Sequence, residues 1–130
     1  MADIIEFTRG DGATKYFSMA ASTWTSGGHL FFAAKQAIDD DNTDSLALIQ
    51  GDWDDTVVTD SVYNGTAMKK YTCYFPPSAT NSIVSNGADL LELIGEFQWV
   101  PFSGDPITTP PTNVKITVIV YMDIKRKTTV

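Results

Sequence analysis

Turn-forming residues cut this chain into pieces too short for anything but strands. Gly10-Asp11-Gly12, Ser26-Gly27-Gly28, Asn64-Gly65, Pro76-Pro77, Asn86-Gly87, Gly104-Asp105-Pro106 and Pro110-Pro111 recur along its 130 residues. Glycine supplies positive φ, proline removes a backbone donor, and aspartate and asparagine bond to nearby backbone. The runs left between them cover residues 3–8, 14–20, 29–35, 45–50, 69–75, 94–102 and 114–123. They are rich in aromatic and β-branched residues, the types that suit a pleated surface. Several alternate with period two. Phe17 and Met19 share one side and Tyr16 and Ser18 the other. Tyr71, Cys73 and Phe75 share a face, as do Phe97 and Trp99. Val114, Ile116, Val118 and Val120 stand opposite Lys115 and Thr117. Residues 82–93 alone have helix-forming character, and Asn86-Gly87 limits them to one turn.

Seven such strands predict an all-β, immunoglobulin-like antiparallel sandwich. The expected core comprises Phe31, Tyr71, Cys73, Phe97, Trp99, Ile116 and Val118. An apolar fraction of 43% with 19% charged residues describes a globular chain, and the length suits one domain over residues 1–130. The single cysteine, Cys73, excludes a disulfide within the chain and sits in an alternating apolar run, so a buried thiol is expected. The first residues lack the basic and apolar blocks of a signal peptide, and no apolar stretch approaches the ~20 residues of a membrane helix. Folding in a cytoplasm, with no membrane partner, is expected.

Net charge is −7, which argues against nucleic acid as a partner, because phosphates require a basic face. The charge is uneven. Residues 1–111 carry five Lys/Arg against fifteen Asp/Glu, a balance of −10, whereas residues 112–130 carry four against one, a balance of +3. The basic stretch Lys125, Arg126 and Lys127, with Tyr121, Ile124 and Val130 for apolar grip, is therefore a candidate contact with an acidic neighbour.

The chemistry-bearing motifs are sparse. Arg9-Gly10-Asp11 matches a tripeptide of adhesion ligands, but Gly12 follows it between two strands, so a hairpin turn accounts for it. Asp40, Asn42 and Asp44 open like a calcium loop. Ser45 and Gly51 replace the glycine and glutamate that complete the loop, so a solvated acidic turn is expected and no metal site. One histidine, His29, and one cysteine cannot assemble a usual zinc set or a serine triad. No phosphate-binding glycine loop occurs. The reading is non-enzymatic, without cofactor. Trp24 and Trp53 lie among Thr, Ser and Asp in loop-like sequence and are candidate partner contacts, whereas Trp99 belongs to a strand.

Five stretches carry a resemblance. They are Phe7-Thr8-Arg9-Gly10-Asp11, the run from Gly28 through Lys35, the acidic loop from Asp39 on to Gln50, Gly95 through Val100, and Val118 through Arg126. Together they are similar to the immunoglobulin-like domain that opens tailed-phage baseplate upper proteins and to related small virion proteins. The resemblance implies a structural virion component in tail or baseplate, or decorating the head. It would be made in the host cytoplasm and dock on other virion proteins and on copies of itself in a symmetric oligomer. The alternative is a carbohydrate- or receptor-binding sandwich that uses Trp24 and Trp53.

Overall fold

A computed structural model describes residues 3–36, 48–83, 89–101 and 112–122. They form eight strands: β1 Asp3–Thr8, β2 Ala13–Ala20, β3 His29–Lys35, β4 Ile49–Trp53, β5 Val58–Tyr63, β6 Thr66–Phe75, β7 Leu90–Val100 and β8 Thr112–Tyr121. Single 3₁₀ turns at Asp55–Val57 and Pro77–Ala79 sit between strands. One sheet has the order β1-β8-β7-β3-β4 and the other β2-β6-β5. Strands G, F, C and C′ of a variable-type immunoglobulin sandwich, packed on B, E and D, have the same order. The first strand leaves the small sheet and pairs parallel with β8. All other pairings are antiparallel.

The strand absent from the sequence reading is β5. Its sequence VTDSVY puts Asp60 between Val58 and Val62 on one face and Tyr63 with Thr59 and Ser61 on the other, so it lacks the clean alternation that marks a half-buried strand. Its turn was legible. Asn64 and Gly65 adopt φ of 51° and 80°, the two positive values that a two-residue hairpin turn demands. Residues 90–93 are strand and not helix, because their inner members Leu91 and Leu93 cover the core while paired with β8. The strand expected at 45–50 instead runs from Ile49 to Trp53, with residues 45–47 outside the described part.

The core is aromatic. Phe17 of β2 meets Phe97 of β7 at 5.2 Å, bridging the sheets where an immunoglobulin domain places its disulfide. Phe32 lies 4.9 Å from Phe97 and 5.2 Å from Phe75, and Phe75 is edge-on to Phe7 at 4.9 Å. Such tilted and edge-on pairs satisfy the ring quadrupoles. Tyr71, Cys73, Phe97, Trp99, Ile116 and Val118 are buried as expected. Phe31 is not. It is 39% exposed, and its neighbour Phe32, at 2%, takes the core place. In β3 the inward residues are Leu30, Phe32 and Ala34, so the alternation runs one residue off the expected phase.

A buried and an exposed phenylalanine give a sharp test. Phe97→Ala should cost ~3–5 kcal/mol of stability, the range for emptying a large core site. Phe31→Ala should cost under ~1 kcal/mol, as surface changes do. Urea unfolding of both variants measures the difference; equal losses would contradict the register of β3.

Candidate functional site

Because inner side chains fill the core, function must use what alternation leaves on the outer faces and ends. On the outer face of the five-stranded sheet, cross-strand rows follow from the register. Asp52, Phe31, Gln98 and Asn113 form one row; Gln50, Ala33, Glu96 and Lys115 form the next. Ala33 is small, so a shallow depression of about 590 Å³ opens over it. Phe31 walls one side, with Gln50 and Asp52 on β4 and Glu96 and Gln98 on β7 at the flanks. His29 stacks on Phe31 at 5.9 Å, and its Nδ1 lies 3.1 Å from Asp52 Oδ1. The depression thus offers one aromatic wall, amides and carboxylates.

Further along the same face stand aliphatic side chains. Lys35, Ile94, Thr117 and Ile4 share a row, followed by Glu92, Ile119 and Glu6, then Leu90 and Tyr121. Ile4, Ile94 and Leu90 are 64%, 38% and 46% exposed. The Tyr121 hydroxyl donates to Glu6 Oε2 at 2.7 Å, and that acceptor raises the tyrosine pKa above its ordinary value.

The tryptophans chosen from sequence serve the interior. Trp24, in the loop after β2, donates from Nε1 to the Tyr71 hydroxyl at 2.9 Å. Trp99 Nε1 donates to the same oxygen at 2.8 Å. Lys69 Nζ lies 4.7 Å over the Trp24 ring and 2.6 Å from Asp60 Oδ1. Burial, reinforced by the Asp55 carboxylate, holds the Tyr71 pKa high, although the two indole donors act the other way. Trp53 ends β4 and is not in a loop. Its indole covers Gly51, leaving no room for a Cβ there, and packs edge-on to Phe75 at 5.1 Å. Both indoles are only partly buried; the Trp24 N–H is paired within the chain, and the Trp53 ring packs on the core.

The Arg9-Gly10-Asp11 tripeptide is a turn but not the expected hairpin, since β1 and β2 lie in different sheets. Asp11 N–H donates to Thr8 O at 3.0 Å, and Gly10 has φ of 82°. The Arg9 guanidinium donates to Ile83 O at 2.9 Å, which turns it back onto the protein. Tyr121 ends β8, whereas Ile124, Lys125, Arg126, Lys127 and Val130 lie outside the described residues, as does the acidic loop at 39–44. Among the described residues no group of three or more His, Cys, Asp or Glu could hold a metal ion, and no helix is long and apolar enough to cross a membrane.

Sequence reasoning passed over Phe31, Glu96, Gln98, Ile4 and Ile94 as site residues. A signal was present for Phe31: His29 and Lys35 share its parity, and two polar ends mark that side of β3 as the solvent side. A scan against protein-family models finds no match, and a search of curated proteins finds none.

Two measurements test this account. Tyr71→Phe removes the acceptor of two indole N–H groups, one fully buried, and should cost ~2–3 kcal/mol in chemical denaturation, since a buried donor left unpaired is expensive. Cys73 is buried, and desolvation pushes its thiol up to about 12. The thiolate is the reactive form, so a thiol reagent at pH 8 should label Cys73 only after unfolding.

Proposed function

We propose that this chain is a non-enzymatic structural module of a tailed-phage virion, docking on other virion subunits in the tail or baseplate or on the head. The observation that carries the reading is the aliphatic part of the outer sheet face. Ile4, Ile94 and Leu90 hold apolar surface in water on a sheet whose core side is already filled. Exposed apolar side chains gathered on one sheet face are a feature of interaction sites. The sequence resemblance to baseplate upper proteins supplies the setting. A core closely packed with aromatic rings suits a module that presents a fixed surface.

Mass spectrometry of purified particles, with labelled protein located by electron microscopy, tests the reading. The protein should be present in stoichiometric amount, and Ile94→Asp should lower its occupancy without lowering its melting temperature by more than a few degrees. Absence from particles would overturn it.

A second reading is favoured by one observation, the depression beside Phe31. An aromatic wall presents a face to the C–H groups of a sugar ring. The Gln98 amide and the Asp52 and Glu96 carboxylates match hydroxyls that both donate and accept. On this reading the carbohydrate site lies at Phe31 and not at Trp24 and Trp53, whose indoles are engaged internally. Titration with a panel of monosaccharides, followed by amide chemical shifts, should move Phe31, Ala33 and Glu96 signals, and Phe31→Ala should abolish the response. Unmoved signals at millimolar sugar would remove this reading.

A further inference from the structure

The two sheets have four edges, and they are not equally protected. An unpaired edge invites strand addition unless an inward charge, flanking charge or proline blunts it. In the small sheet, β2 turns Lys15 toward the core side, its Nζ 5.1 Å over the Phe7 ring. At the other edge, β5 carries Asp60 on its core-facing parity, ion-paired to Lys69 at 2.6 Å. In the large sheet, β4 lies inside a run from 39 to 55 that holds seven aspartates and no lysine or arginine. Pairing β4 with another β4 would bring Asp52, Asp54 and Asp55 of two copies near one another. The remaining edge, β1, has Ile5 and Phe7 facing the core and contains no proline. The carboxylate of Glu6 is drawn back over β8 by the Tyr121 hydroxyl.

The backbone of β1 is also poised for pairing. Arg9 N–H donates to Tyr121 O at 2.8 Å, so odd-numbered residues direct their N–H toward β8. By alternation, Ile4, Glu6 and Thr8 direct theirs to the free edge. We infer that β1 pairs antiparallel with β1 of a second copy about a two-fold axis centred on Ile5, joining the two five-stranded sheets into one. In that register Ile4 of one copy faces Glu6 of the other. They exchange reciprocal backbone hydrogen bonds, and no like charges stand opposite. Moving the axis to Glu6 would oppose two glutamates. The interface is self-complementary, as a two-fold contact must be. It is also small, so free copies pair weakly and neighbours held on a particle pair strongly through their high local concentration.

The inference deepens the assembly reading and rests on it for its setting. Sedimentation of the full chain between about 10 µM and 1 mM, the range where small interfaces associate, should show a monomer–dimer equilibrium. Ile4 is an exposed side chain, so both test variants should keep the fold, checked by melting temperature. Ile4→Glu places two like-charged pairs across the axis and should weaken dimerisation about tenfold or more, whereas Ile4→Lys faces Glu6 and should leave it equal or stronger. Glu6→Pro removes a free-edge N–H while sparing the β8 side, and should abolish the dimer. A monomer throughout the range overturns the inference, as does a dimer indifferent to all three substitutions. Particle occupancy of the same variants separates the two claims. A monomer still found on virions refutes the pairing alone, and a dimer absent from virions refutes the setting alone.

Discussion

The Tyr71 hydroxyl joins three parts of the molecule at one oxygen. Tyr71 belongs to β6 of the small sheet, Trp99 to β7 of the large one, and Trp24 to the loop between β2 and β3. Two indole N–H groups, that of Trp99 fully buried, converge on a single acceptor. A buried donor tolerates few alternatives, so this node sets how the sheets sit over each other more narrowly than apolar packing does. The phenylalanine cluster then fills the space that the node defines, with Phe17 and Phe97 taking the inter-sheet place that a disulfide holds elsewhere. A protein with one cysteine has no covalent staple available, and aromatic area supplies the cohesion.

Filling the interior with so many rings has a consequence outside. Each strand alternates, so every inward ring commits its neighbours to solvent or to a partner. In β3 this turns Phe31 out beside His29 and above Ala33, and in β1 and β7 it turns out Ile4, Leu90 and Ile94. The five-stranded sheet therefore carries aromatic, aliphatic and polar side chains together on its outer face. The edges follow the same division. The small sheet bears inward or paired charge at both edges, whereas in the large sheet no strand among the described residues pairs with the outer side of β1.

Much of the fold was legible because period-two alternation and turn chemistry are local. The strands at 3–8 and 29–35 were bounded as observed, and the Asn64-Gly65 turn has the positive φ values its residues suit. The buried fates of Tyr71, Cys73, Phe97, Trp99, Ile116 and Val118 followed from shared parity within runs whose opposite side was polar. Phe31 was misread because the middle of its run is apolar on both sides, and only the ends, His29 and Lys35, mark the solvent phase. The hydrogen-bonded register with β7 and β4 chose it.

What the sequence determined by itself was the class of fold: short alternating runs between obligatory turns, with no continuous stretch for a helix. It also established the charge asymmetry and the lack of a disulfide. Only the tertiary structure decided that β5 is a strand, since a polar edge strand has no signature until β6 pairs with it. It decided that Trp24 and Trp53 look inward, because their partners Tyr71 and Phe75 are distant in sequence. It also decided which edge is open. An edge is a property of sheet order, and sheet order arises from long-range pairing that no local run encodes.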